Sequence, residues 1–191
     1  MLTIAWDVDD VLNDLMRMWL AKEWLPNHPH HPLSYDDLRA NPPLEPIGSN
    51  LDEYLCSLDR FRHSRYAELE PLPEAKAWFD RHGDSYRHVA LTAVPLRAAP
   101  ISAAWVLRHF GRWIRSFHFV PSRRAGESLP PYDANKQEFL RWWGKADVLV
   151  DDLPSNVESA RQAGVKAILI PRPWNGKAGA LGEAFQELEN L

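Results

Sequence analysis

The sequence predicts an α/β fold: a parallel β-sheet with helices on both faces, plus a small helical cap inserted after the first strand. Three observations lead there. Short apolar runs alternate with amphipathic helical patterns, the arrangement that builds a parallel sheet covered on two sides. The helical patterns close on glycine, and several open on proline, the asymmetry expected of helix ends. One long stretch, between Asp14 and Pro71, breaks the alternation and offers no strand.

The first strand is "TIAWDV" (3–8), apolar and β-branched at its start. "HVALTAV" (88–94), "SFHFVP" (116–121), "ADVLVDD" (146–152) and "KAILIP" (166–171) supply four more. The helical patterns between them are "PEAKAWFDRHG" (73–83), "PLRAAPISAAWVLRHFG" (95–111), "ANKQEFLRWWG" (134–144) and "PSNVESARQAG" (154–164). Pro100 falls inside the second of these, so that helix either kinks there or starts near Ile101. "GALGEAFQELENL" (179–191) makes a last helix. In the stretch without strands, "DLMRMWLAKEWL" and "SNLDEYLCSLDRF" read as helices joined by a proline-rich connector. That is too long for an ordinary strand–helix loop. We read a core of residues 1–13 and 76–191, and a cap of 14–75 lying over the strand ends.

Composition narrows the classes. The chain has 191 residues, 45% of them hydrophobic and 25% charged, with a net charge of −4. These are ordinary values for a soluble globular protein, and no basic tract points to a nucleic-acid polymer or a membrane surface. The first strand follows Met1 directly, so the expectation is a cytoplasmic protein without a signal peptide. The single cysteine, Cys56, lies among apolar helix residues and is expected to be a buried structural thiol. Nine tryptophans and sixteen prolines stand out. Trp78, Trp105, Trp142 and Trp143 lie in helical patterns and are expected to pack in the core or at an interface.

The chemistry concentrates at strand ends, where ligands of parallel sheets bind. "IAWDVDDVLND" (4–14) places Asp7 and Asp9 where the first strand stops. Residues two apart on an extended chain point the same way, and two adjacent carboxylates repel unless a cation joins them. Asp151 and Asp152 end another strand. Thr92 brings a hydroxyl to a third, and Lys136 brings a positive charge to the start of a helix. Acids, a divalent cation, a hydroxyl and a lysine together suit a phosphate group. The plainer readings are solvated strand-end acids, a strand-end hydroxyl bonded to backbone, and a surface lysine. Asn156 either serves this site or organises the helix that starts near Pro154. His28, His30 and His31 have irregular spacing, broken by prolines, and read as a solvated loop. Arg123 and Arg124 read as a solvated loop pair. Trp19, Trp24, Tyr35, Tyr54 and Tyr66 either pack the cap or stack on a ligand ring.

The order "DVDDVL", "LTA", "NKQEFL", "VLVDDLPSN" resembles the haloacid dehalogenase superfamily of phosphohydrolases. The resemblance covers the chain outside the insertion, which falls where that superfamily places its C1-type cap. "DVDDVLND", "SYDDL" and the final "PWN" look most like the cytosolic 5′(3′)-deoxyribonucleotidase group. The resemblance implies a Rossmann-like core and a Mg²⁺ ion. It implies Asp7 as nucleophile, and Asp9 as general acid and base whose backbone carbonyl also reaches the metal. Asp151 and Asp152 would complete the metal site, with Asp7 among its ligands. Thr92, the Ala93 backbone N–H and Lys136 would hold phosphoryl oxygens. Two departures stand out: Asp10 occupies a position where many relatives have glycine, and Ala93 one where the nucleotidases often have serine. The implied activity is a phosphomonoester hydrolase with an aspartyl-phosphate intermediate, on deoxyribonucleoside monophosphates or on another small metabolite phosphate. A receiver-like phosphoacceptor domain uses similar residues, but its acid pair comes first and its lysine last.

Overall fold

The computed structural model describes residues 1–190; Leu191, where the last helical pattern ends, lies outside the described residues. The strands are β1 (Thr3–Trp6), β2 (Arg87–Val94), β3 (Ile114–Pro121), β4 (Val148–Asp151) and β5 (Lys166–Leu169). They form one sheet in the order β3-β2-β1-β4-β5. Every neighbouring pair is parallel. β3 starts two residues before "SFHFVP", because Ile114 already pairs with His88 across a local irregularity.

The sheet is apolar on both faces, as a parallel sheet between helices must be. Side chains alternate along each strand, so β1 sends Ile4 and Trp6 into one layer and Ala5 into the other. β4 divides Val148 and Val150 from Leu149 in the same way. The first layer is closed by α5 (Pro73–His82), α6 (Ala99–Phe110) and α9 (Leu181–Glu187), through Trp78, Phe79, Phe110 and Phe185. The second is closed by α7 (Lys136–Trp143) and α8 (Pro154–Gln162), through Phe139, Leu140 and Ala160. Pro100 sits in the first turn of α6, where its missing N–H costs no helical hydrogen bond. His88 is buried in the first layer, against Trp6, Trp78 and Phe79. It accepts from Trp6 Nε1 at 3.0 Å and donates through Nε2 to the Gly83 carbonyl at 2.8 Å, and burial lowers its pKa.

The stretch from Leu15 to Glu68 holds helices and turns only. α1 (Leu15–Trp19) runs through a wide π-type turn into α2 (Leu25–Asn27), and a short α3 (Leu44–Ile47) precedes α4 (Leu51–Arg65). Asn50 caps α4 by accepting from the Glu53 N–H at 2.9 Å. The stretch leaves and rejoins the sheet at one neck, where Asn13 bridges Pro71 and the Leu72 N–H donates to the Leu12 carbonyl at 2.8 Å. Its apolar residues belong to the same cluster as the first core layer. Among the described residues no helix is long and apolar enough to cross a membrane.

One packing expectation is corrected, and a second, core or interface for Trp142, is narrowed to the surface. α4 buries Tyr54, Ser57, Leu58, Phe61 and Arg62, a stripe at helical spacing. Cys56 lies off that stripe and is exposed. Trp142 is 72% exposed, because α7 turns Phe139 and Leu140 inward instead.

Trp78 and Trp142 thus test the two environments. Trp78→Ala should cost about 3–5 kcal/mol, the usual loss for a buried aromatic, whereas Trp142→Ala should stay within about 0.5 kcal/mol. Urea denaturation of both variants measures the difference, and equal losses would contradict the packing described.

Candidate active site

The order β3-β2-β1-β4-β5 reverses direction between β1 and β4, and crevices at such switch points bind ligands. The acids converge there. The Asp7 N–H extends the sheet by donating to the Val150 carbonyl at 2.9 Å. That bond fixes the Asp7 side chain beside the end of β4, where Asp151 and Asp152 lie. One carboxylate oxygen from each of Asp7, Asp151 and Asp152 falls within 4.8 Å of the others, and all three residues are buried.

Lys136 binds this cluster from below. Its ammonium lies 2.8 Å from Asp7 Oδ2 and 2.6 Å from Asp151 Oδ2. Lys136 opens α7, and the Asn135 side chain caps that helix by accepting from the Glu138 N–H at 2.9 Å. The long segment 121–134 therefore does fold back on the sheet. Burial would discharge the ammonium, but the carboxylates of Asp151 and Asp7 outweigh it and raise the Lys136 pKa. Asp7 is pushed up to about 6, first by burial, against the lowering influence of Lys136. Asp152 is raised well above the ordinary carboxylate range, by burial and by the charges of Asp151 and Asp7.

The partners of these acids explain parts of the sequence that carried no assigned role. Asn156 donates to Asp151 Oδ1 at 3.0 Å, and the Leu153 N–H donates to the same oxygen at 2.9 Å. Asn156 thus both sits in α8 and holds Asp151. The "PWN" string reaches back to Asp152: Trp174 Nε1 donates to its carboxylate at 2.8 Å and Asn175 Nδ2 to its carbonyl at 2.8 Å. Thr92 is buried at the end of β2, and with Ala93 it borders the same cavity as Asp7.

Asp9 is placed differently. Its carboxylate accepts from Arg62 at 2.9 Å, from Asn13 at 3.3 Å and from the Tyr66 hydroxyl. Two of these partners come from the helical insertion, and the Asp9 carboxylate does not join the three clustered acids. It borders the cavity beside them. Asp10 adopts a left-handed backbone with φ of 60°. Glycine reaches that conformation without strain, and aspartate is one of the few residues that tolerate it. The extra charge is absorbed. Asp10 is buried and its pKa is pushed up to about 8, while Arg172 donates to its carbonyl at 2.7 Å.

Sequence reasoning missed Arg62, Asp59 and Arg172 as members of this region; Tyr66, singled out as a packing or stacking ring, enters it through its hydroxyl on Asp9. One signal existed: Arg62 lies at helical spacing from Tyr54 and Leu58, on the buried stripe of α4. Asp59, on the same helix, is also buried. It accepts from Arg124 at 2.7 and 2.9 Å, from Arg97 at 2.7 Å, and lies 3.6 Å from Arg62. Arg124 is therefore an ion-paired residue tying the segment after β3 to α4, and not a solvated loop cation. Arg123 is exposed, as expected. Two of the three histidines pair with backbone: His28 Nδ1 lies 2.9 Å from the Trp24 carbonyl and His31 Nε2 2.7 Å from the Pro46 carbonyl, while His30 is exposed.

The cavity over the acids measures about 390 Å³. Its floor is Asp7, Asp152 and Thr92, and its roof is Met16, Tyr54 and Leu58. Of the five aromatic rings singled out in the insertion, Tyr54 alone borders it; all five are buried by packing. A larger surface groove of about 720 Å³ opens at the opposite, amino-terminal ends of the strands, beside Thr3, Arg87 and Arg115. It holds none of the clustered carboxylates.

No protein-family model matches the chain, and no curated protein sequence matches it significantly. Solved structures do match. A haloacid dehalogenase-like hydrolase of Streptococcus pneumoniae superposes with a TM-score of 0.64 at 14% identity, over 97% of this chain and 91% of that one. A predicted phosphatase of Clostridium acetobutylicum gives 0.62 at 14% identity, over 100% and 99%. The protein tyrosine kinase A of Mycobacterium tuberculosis gives 0.64 at 15% identity, over 99% and 98%. At such identities the likeness is one of fold: the chain has the α/β fold of haloacid dehalogenase-like hydrolases.

Proposed function

We propose that the chain is a divalent-cation-dependent phosphomonoester hydrolase in which Asp7 is the nucleophile. The observation that carries this reading is the convergence of Asp7, Asp151 and Asp152 on one buried point, bridged by Lys136 at the sheet's switch point. Three buried carboxylates against one ammonium leave a local excess of negative charge. All the donors are hard oxygens, which suits Mg²⁺. Asp7, Asp151, Asp152 and the Asp9 carbonyl would hold the ion, which would neutralise phosphoryl oxygens when bound.

The residues supply the remaining chemistry. Asp7 attacks phosphorus, and the bond from phosphorus to the ester oxygen breaks. Asp9 gives its proton to the leaving oxygen. Asp9 then takes a proton from water, whose oxygen attacks phosphorus and releases phosphate from Asp7. Lys136, the Thr92 hydroxyl and the Ala93 N–H hold the phosphoryl oxygens. Residues 1–13 and 76–191 form the catalytic core, and 14–75 the cap that excludes water and selects the ester. A receiver-type phosphoacceptor is disfavoured by strand order: receivers follow 2-1-3-4-5, whereas this sheet runs 3-2-1-4-5. Of the two substrate classes, a small metabolite phosphate is favoured over a nucleotide. A nucleobase would need an open ring face, and Tyr54 is the one candidate at the cavity.

Hydrolysis should require added Mg²⁺ and stop with excess chelator; full activity in chelator would overturn the metal assignment. Asp7→Asn should abolish turnover of every ester. Asp9→Asn should slow alkyl phosphates by about 10²-fold or more, the usual worth of a general acid. It should slow p-nitrophenyl phosphate much less, because that leaving group needs no proton, and equal losses on both would argue against Asp9 in this role.

The ion competes with protons for its ligands. Asp7, raised to about 6, and Asp152, raised well above the ordinary carboxylate range, bind protons more readily than free carboxylates in the metal-free protein. Below about 6 the ion must displace more protons, so apparent Mg²⁺ affinity should fall as pH drops through that value. Calorimetric titrations on either side of it test the sign, and a pH-independent affinity would contradict it.

A further inference from the structure

The insertion brings to the cavity a guanidinium that pairs with Asp9 and still keeps one donor without a partner. Arg62 stands on the buried face of α4 and is 6% exposed. One terminal nitrogen donates to Asp9 at 2.9 Å and the other lies 3.6 Å from Asp59. Its Nε–H is buried with no hydrogen-bond partner in the protein. A buried guanidinium with an idle donor is costly, and guanidinium geometry suits a planar or tetrahedral oxyanion. Arg62 borders the cavity above Asp7.

It is not alone there. Arg123 and Arg124 border the same cavity from the segment after β3. Asp59 accepts from Arg124 at 2.7 Å while lying 3.6 Å from Arg62, so one carboxylate sets both guanidinia on one side of the cavity. Arg124 spends its donors on Asp59 and Ser122. Arg123 is exposed, with no carboxylate partner among the described residues. The transferring phosphoryl group already has Lys136, Thr92 and the proposed cation. Leu51, Leu55 and Leu58 supply an apolar part of the remaining roof, beside the polar Asn41 and Tyr54.

We infer that the substrate carries a second anionic group near its phosphomonoester, and that Arg62, assisted by Arg123, is the residue that reads it. This rests on the phosphohydrolase reading and names a substrate class for it: small bis-anionic phosphate esters, whose second group is a carboxylate or a phosphate. An anion held between Arg62 on α4 and Arg123 on the core also joins the cap to the sheet.

Esters on one two-carbon scaffold test the inference: ethyl phosphate, phosphoglycolate, and ethane-1,2-diol bisphosphate. Phenyl phosphate and 4-carboxyphenyl phosphate repeat the comparison on a larger body. With Mg²⁺ present, kcat/KM should favour at least one anionic ester over its neutral counterpart by about tenfold or more, equivalent to about 1.4 kcal/mol. The arm preferred identifies carboxylate or phosphate. Arg62→Gln should erase that preference, and Arg62→Lys should keep part of it. No preference in the wild-type protein on either scaffold would overturn the inference, whatever the variants do. So would a preference that survives in Arg62→Gln, or equal losses on neutral and anionic esters, since Arg62 would then serve the transferring phosphoryl group. The same compounds titrated calorimetrically into Asp7→Asn protein separate the two readings. An anionic preference in binding without hydrolysis by the wild type would sink the hydrolase reading and support the second-anion site. Hydrolysis without any preference would do the reverse.

Discussion

The buried ammonium of Lys136 is the contact on which the rest of the site depends. It lies within 2.8 Å of Asp7 and 2.6 Å of Asp151, carboxylates from two neighbouring strand ends. Without it, those acids would be buried beside each other with no counter-charge in the protein. Removing one partner from such a buried pair typically costs about 3–5 kcal/mol, because the remaining charge is left uncompensated. The requirement propagates outward. Lys136 must open α7, so Asn135 caps that helix, and residues 121–134 must return to the sheet. A site that needs a fixed charge beside Asp7 and Asp151 therefore dictates where a whole helix begins.

The charges above the acids form a second system. Asp59 gathers Arg97, Arg124 and, more distantly, Arg62, while Arg62 reaches Asp9. These pairs cross from α4 to the segments after β2 and β3, so the insertion is joined to the sheet by ion pairs as well as by a shared apolar cluster. The two systems meet at Asp9, the acid that binds the insertion's Arg62 and Tyr66 in place of the clustered carboxylates. The position of the insertion is thereby tied to Asp9, and under the proposed chemistry to its acid–base role.

The core was legible because period and punctuation repeat locally. Apolar strands, proline starts and glycine stops need no long-range knowledge, and they located Asp7, Thr92, Asp151 and the start of α7. The sheet order and the return of Lys136 fit the motif order, because ligands of such sheets gather at one edge. What escaped depends on which residues meet across many positions. Asp59 and Arg124 are 65 residues apart, and Arg172 reaches Asp10 across 162. Nothing near either residue announces its partner. Cys56 and Trp142 escaped for a smaller reason: a helix has one buried face, and a shift of one or two residues decides which side a side chain takes. Asp10 was singled out only through the glycine of its relatives; its left-handed backbone is not marked by the aspartate itself.

The central claim is that Asp7, held by Lys136 beside two further acids, attacks phosphorus and carries the phosphoryl group. The most direct measurement is chemical. Protein mixed with Mg²⁺ and an accepted phosphate ester is quenched in acid within the first turnover, digested, and read by mass spectrometry. The account predicts one phosphoryl group on the peptide containing Asp7. It also predicts that hydroxylamine removes that group, as expected of an acyl phosphate, and that Asp7→Asn protein lacks it. Phosphate release with no modified peptide at any quench time, or a phosphoryl group on another residue, would contradict it.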